Sequence, residues 1–337
     1  MITPPLGDAL GGVRRLPTHL EDLRDTPPDL FQDWGSTDWA RLRWSDVRRP
    51  YRVERWSREK HEWERAHGQP MPVSVGWEHF NRHFHALFTT DVPAASARAR
   101  TELAAALARL DVAGAREACT DLLQLAIWNR IHRVEDAVWD PRGKRALFSG
   151  LGVVKPRILF LGAAEGYEAM QLYAMYPGGD VVLVDYDPFC RDHRFAGFPE
   201  AYPFLGTDPA TGHARVWHRD EMPIHYEVAD IRDLRYGREF DIVISVGLIE
   251  HFPDEWKPLA LDFHRRFLKP GGWCLMTTPR DQLRARAYYH VMGDLVNFGY
   301  RELMDVRQMG LYAWENGFDI VRAGVIKAHN GLVTRPR

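Results

Sequence analysis

The chain has 337 residues, 45% of them apolar, enough for one sizeable core plus a second unit, which excludes a wholly disordered or peptide-like protein. A formal net charge of −2 gives no reason to expect a nucleic-acid or membrane partner. Cys119, Cys190 and Cys274 stand far apart with no CxxC pair, which argues against a disulfide framework and a thiolate zinc site and fits a reducing cytoplasm.

In chain order, the N-terminus "MITPPLGDALGGVRRL" has no basic region leading into an apolar run, and nowhere does an apolar stretch approach the ~20 residues of a membrane helix. A soluble, cytoplasmic protein is expected. Residues 1–75 are rich in Pro and Arg with weak periodicity and read as loops and short helices. Within them, Arg41–Arg65 carries nine Lys/Arg against five Asp/Glu, interleaved with Trp and Tyr. That mixture suits RNA stacking and phosphate pairing, but solvated surface over buried indoles accounts for it more simply. From Val92 the periodicity firms into two helical stripes, Leu103, Leu107, Leu110 and then Leu123, Ile127, Ile131, Val134, Val138. His79 and His83 fall four apart on one helical face, and His132 and Glu135 three apart on a later one. Facing pairs of this kind bind transition metals, yet histidines packed in a helical bundle are commoner, so no metal is expected and metal binding by these four is left open.

Eight of the twelve tryptophans precede residue 150, after which short apolar strands alternate with helical stretches. The expected division is a mostly helical, Trp-rich domain over 1–150, acting as substrate cover or oligomerisation unit, and an α/β domain over 151–337. Strands are predicted at Arg157–Leu161, Val181–Asp185, His225–Ala229, Phe240–Val246, Trp273–Thr277 and Phe318–Val325, with helices at Asp254–Leu268 and Glu302–Asn316. This alternation is the pattern of a doubly wound sheet, whose ligands sit beyond the carboxyl ends of the strands.

The first predicted strand runs into "FLGAAEG", Phe160 to Gly166, and then a helix. Gly162 and Gly166 permit a tight turn that brings the backbone close to a ligand, and the following helix offers free N–H groups. A G-x-G-x-x-G dinucleotide turn fails, because Ala164 and Tyr167 occupy its second and third glycine positions. A phosphate loop fails for lack of a following Lys-Ser or Lys-Thr. S-adenosylmethionine remains, a ligand without phosphates that needs less glycine.

Together with "VVLVDYDP", "VADIRDL", "FDIVISVGLIEHFPDEW" and "FLKPGGWCLMTTP", this turn resembles the class I S-adenosylmethionine-dependent methyltransferases, over about residues 150–335. The resemblance implies a Rossmann-like sheet with S-adenosylmethionine as cofactor. It implies that Gly162, Ala163, Ala164, Glu165 and Gly166 form the cofactor turn, and that Asp185, with Tyr186 beside it, takes both ribose hydroxyls. Asp230, with Ile231 alongside, would take the adenine amino group, and Val246 and Gly247 would line the cofactor at the end of the fourth strand. Family members often carry an acid where Phe160 stands and a glycine where Ala164 stands. Glu165, or the carbonyls of Ser245–Gly247, is therefore expected to receive the methionine ammonium. The 45 positions from Asp185 to Asp230 leave room for an inserted loop at about 188–222, expected to shape the substrate pocket, with a lid at about 280–300.

Glu250 and His251 lie just past the fourth strand, where methyl donor and acceptor would meet. Methyl transfer from a sulfonium is an in-line displacement that needs a base only if the acceptor carries a proton, and an imidazole of ordinary pKa near ~6.5 suits that work. In some relatives this Glu-His pair binds a metal with an earlier acid, but that position here is Gly247, so no metal is expected. The expected function is methylation of an aromatic or apolar small-molecule acceptor, on oxygen, with His251 and Glu250 as catalytic residues. An RNA-modifying methyltransferase and a non-catalytic cofactor-binding module are the alternatives. The acceptor's identity, O versus N versus C methylation, and a homodimer as against a monomer are not readable from the residues.

Overall fold

The computed structural model describes residues 32–33, 36–130, 141–200 and 202–337. Its first elements are two short strands, β1 (Gln32–Asp33) and β2 (Tyr51–Arg52), and four helices, α1 (Arg58–His67), α2 (Val73–Thr89), α3 (Val92–Ala108) and α4 (Val112–Trp128). Local chemistry sets their ends: Ser57, Asp91 and Asp111 each accept a backbone N–H of the helix that follows, and α1 stops at Gly68 with φ +64°. The apolar stripe read on α3 and α4 does not all point inward. Leu107, Leu110 and Leu123 are 59%, 88% and 50% exposed, because the α3–α4 hairpin closes through the small residues Ala99, Ala106 and Ala118.

Then come α5 (Pro141–Phe148), β3 (Arg157–Leu161), α6 (Tyr167–Met175), β4 (Asp180–Asp185), the hairpin β5 (Phe204–Thr207) and β6 (Ala214–Trp217), β7 (Ile224–Val228), β8 (Phe240–Val246) and α7 (Lys257–Arg266). The chain ends with β9 (Leu268–Pro279), α8 (Leu283–Val296), β10 (Glu302–Leu303), α9 (Val306–Glu315), β11 (Phe318–Ile326) and β12 (His329–Pro336). The main sheet runs β1-β11-β12-β9-β8-β3-β4-β7. Its β9-β8-β3-β4-β7 block is parallel, whereas β12, β11 and β1 join antiparallel. The central strands are continuous apolar runs because helices cover both faces. On one face Phe160, Ile244 and Leu275 pack with α5, α6 and the β5–β6 hairpin, and on the other Leu161, Val243 and Met276 pack with α7 and α9.

The doubly wound α/β sheet expected from the sequence is present. Two segments singled out in the sequence take the following places. The 188–222 segment puts Phe198, Tyr202, Phe204 and Trp217 into the core around Tyr167, so much of it backs α6. Segment 280–300 forms α8, whose Tyr289, Met292 and Val296 share a core with Val53 and Trp128 of the N-terminal part.

Candidate active site

At the tip of β3 three residues in five take left-handed backbone angles: Gly162 (φ +67°), Ala164 (φ +49°) and Gly166 (φ +79°). A Cβ on Gly166 would lie 2.5 Å from Leu183 Cδ1, so packing as well as angle demands glycine there. Ala164 pays a conformational cost that its neighbours offset. Its N–H donates to Asp185 Oδ2 at 3.1 Å, its carbonyl accepts from Tyr226 at 2.8 Å, and the Ala163 N–H donates to the Val184 carbonyl at 2.9 Å. The turn is thereby tied to β4 beside it and to β7 beyond.

Asp185 stands at the end of β4, its second oxygen accepting from the Asp187 N–H at 3.2 Å. Burial pushes its carboxyl above the usual range, against the pull of those backbone donors. A half-buried carboxylate bonded only to backbone donors fits a ribose, whose two hydroxyls would donate to its remaining lone pairs. Tyr186 donates its hydroxyl to the Ser74 carbonyl of α2. At the end of β7, Asp230 caps the turn Ile231–Asp233, and Arg232 holds its oxygens at 2.9 and 2.6 Å and its carboxyl below the usual range. An adenine amino group would share Asp230 with that guanidinium. Glu165, 2% exposed, pairs with Arg194 Nη2 at 2.5 Å. Its charge is already compensated by that guanidinium.

The β8 strand ends at Val246, and Gly247 turns the chain with φ +67°. A Cβ there would meet Glu250 Oε1 at 3.2 Å. His251 closes the short turn Ile249–His251 with its Nδ1 2.8 Å from the Tyr300 carbonyl. A carbonyl only accepts, so Nδ1 carries the proton and Nε2 keeps its lone pair, 3.6 Å from Glu250 Oε1. Trp77 of α2 meets the imidazole edge-on at 4.3 Å. Burial, reinforced by Arg301, drives the imidazole well below its ordinary pKa. Glu250 is 1% exposed, and burial pushes its carboxyl up to about 7 despite the opposing charges of Arg301 and Lys257. Among the described residues nothing bonds to Glu250 Oε2. The sequence assigned neutral-range titration to His251; the structure moves it to Glu250, because both groups lost their water and the cations nearby favour the neutral imidazole.

Helix α2 lies across these strand ends. Asn81 Nδ2 and Arg82 Nη1 donate to the fully buried Asp187 at 3.1 and 3.3 Å, and Arg194 joins Asn81 Oδ1 (3.0 Å) to Glu165. Sequence reasoning missed Asn81, Arg82, Asp187, Arg194, Tyr300 and Arg301, although a polar residue at an apolar helical position, such as Asn81, was a readable signal. His79 and His83 do share a face, where His79 Nδ1 meets Glu59 Oε1 at 2.6 Å and His83 Nδ1 lies 3.7 Å from Glu59 Oε2. His132 and Glu135 lie outside the described residues, among which no cluster of three or more metal-binding side chains occurs.

The family described as "Methyltransferase domain" matches residues 127–323, more than half of the chain. No curated protein sequence matches. Among solved structures, human N-acetylserotonin methyltransferase in complex with SAM is similar at 14% identity and a TM-score of 0.43, over 66% of this chain and 56% of that one. The 1,6-didemethyltoxoflavin-N1-methyltransferase of Burkholderia thailandensis is similar at 14% identity and 0.41, over 65% and 87%. An O-methyltransferase family protein of the same organism stands at 15% and 0.41, over 67% and 60%. Likenesses this distant assign neither acceptor nor methylated atom, and the chain spans only about half to two thirds of the first and last of these proteins. The family match is a different matter, since it takes in the β3 turn, the β4 and β7 tips and the β8 tail just described: the chain belongs to the class I S-adenosylmethionine-dependent methyltransferases, with S-adenosylmethionine as its cofactor.

Proposed function

We propose that this protein transfers a methyl group to a hydroxyl or phenol of a small molecule in the cytoplasm, with His251 as the proton acceptor. The fixed tautomer of His251 carries this reading. Tyr300 holds the Nδ1 proton, so the Nε2 lone pair is the one available to an acceptor hydroxyl. When bound, S-adenosylmethionine supplies a methyl group activated by its sulfonium. In this reading the β3 turn (Gly162 to Gly166) and Gly247 bring backbone against the cofactor, Asp185 and Tyr186 orient the ribose side, and Asp230 with Ile231 borders the adenine. Holding donor and acceptor in line is the chain's main contribution, worth up to ~7–11 kcal/mol where the geometry is good. Trp77 and the buried α2 contacts exclude water from the reacting atoms. Ionised Glu250, 3.6 Å from Nε2, would strengthen His251 as a base. The N-terminal helices are the cover on the acceptor side.

Isotopically methyl-labelled S-adenosylmethionine, incubated with the protein and fractionated cell extract, tests the substrate class. Label should enter the low-molecular-mass fraction as a base-stable ether and depend on His251. Label in the RNA fraction, or equal labelling by a His251→Ala variant in single turnover, would overturn this reading.

A further inference from the structure

Between β2 and α8 the surface opens into a cavity of about 520 Å³, inside the roughly 300–1,000 Å³ range of small-molecule sites. Arg49, Arg52, Arg55 and Arg286 line it, against the single acidic side chain of Glu54. Asp281 holds Arg286 at 2.6 and 2.7 Å, with the guanidinium 4.4 Å over the Tyr51 ring. The other three are less compensated. Arg49 lies 3.4 Å from Asp254 and Arg55 3.5 Å from Asp294, a carboxylate that Gln124 and Arg58 also share. Among the described residues no carboxylate lies within ion-pair distance of Arg52, whose guanidinium rests 5.2 Å over the Tyr300 ring.

Two chains of contact link the wall of this cavity to His251. Tyr300, under Arg52, is the residue whose carbonyl fixes the imidazole. Tyr289, in the wall itself, accepts from Arg301 Nη1 at 2.6 Å, and Arg301 borders the same small space as His251 and Trp77. Guanidinium forks match carboxylate and phosphate oxygens, and tyrosine faces suit an aromatic ring.

We propose that this cavity binds the anionic group of the methyl acceptor, a carboxylate or phosphate on an aromatic molecule, with Arg52 and Arg55 as the receiving cations and His251 at the methylated end. The proposal rests on the reading of His251 given above and narrows its substrate class.

Calorimetric titration of the intact chain with phenyl phosphate, benzoate and phenol tests it, with and without S-adenosylhomocysteine. At least one anion should bind about ten-fold or more tighter than phenol. Which of them does separates phosphate from carboxylate. Arg52→Gln with Arg55→Gln should weaken that anion by about ten-fold or more, while S-adenosylhomocysteine affinity and the Tm stay as in wild type. Phenol binding as tightly as the anions, a double variant binding like wild type, or no anion binding by a protein that takes up S-adenosylhomocysteine would each overturn the proposal. Loss of S-adenosylhomocysteine binding in the wild type would instead strike the cofactor reading, since the anion titrations are read independently of it.

Discussion

A carboxyl group sealed beside Gly247 with one oxygen unpartnered makes Glu250 sensitive to pH in the neutral range. Its folded-state pKa of about 7 lies above the ordinary 4.5, so between those values the folded chain holds a proton that the unfolded chain has released. The stability that proton brings is fully present below about pH 4.5 and is lost as pH rises through about 7. Glu250→Gln should therefore be more stable than wild type at about pH 8, by up to about 3 kcal/mol, and indistinguishable near pH 4.5 in urea titrations. Its rate should respond too. Once charged, the carboxylate raises the proton affinity of Nε2, so the wild-type single-turnover rate is expected to climb through about pH 7, and the Gln variant to give a flat profile. Equal slopes in both would remove Glu250 from the chemistry. Little of this was legible in "IEHF": position past a strand marks the pair as candidates, but the burial that resets both pKa values arises only in the folded chain, where Tyr300, Arg301 and Trp77, remote in sequence, close around His251. The turn at Gly162–Gly166 and the acid at Asp185 were legible, because tight backbone geometry and a strand-end carboxylate are local features.

Among the elements, α2 is the one that most shapes the site, since it touches the β4 tip through Asp187, the β3 turn through Arg194 and Glu165, and His251 through Trp77. Asn81 is its hinge pin in hydrogen-bond terms, donating to Asp187 and accepting from Arg194. Asn81→Ala leaves a buried carboxylate and a buried guanidinium each short of one bond, at a cost of about 1–3 kcal/mol. Thermal melts should show the loss, and hydrogen exchange should speed up in α2 ahead of the sheet. An unchanged melt with unchanged α2 exchange would contradict the pinning. Strands β3 and β8 were predicted end to end because each is a mostly apolar run that opens beside a charge and closes on a glycine. β12 was not, since "HNGLVTRPR" alternates too weakly to declare a strand until its pairing with β9 and β11 is seen. The outward leucines of α3 and α4 misled for a related reason, periodicity marking a face but not which neighbour covers it.

At the scale of the whole molecule, the compositional break near residue 150 does not divide the packing. β1 joins the edge of the main sheet beside β11, β2 pairs with β10, and Trp39 packs so close to α9 that a Cβ on Gly310 would come within 2.1 Å of its ring. Val53 and Trp128 complete a core with α8. A fragment beginning at residue 150 would expose these faces, and it should aggregate or melt well below the full chain. A stable, fully active 150–337 fragment would refute this. The central claim is that the β3 turn and Asp185 bind S-adenosylmethionine, and calorimetry with S-adenosylhomocysteine tests it most directly. The wild type should bind with micromolar affinity and ignore NAD. Asp185→Asn, which keeps an acceptor for the Ala164 N–H but gives up the charge, should weaken binding by about ten-fold or more, the ~1.5–3 kcal/mol of charge-assisted hydrogen bonds. Equal affinity in wild type and Asp185→Asn, or binding of NAD in place of S-adenosylhomocysteine, would contradict the account.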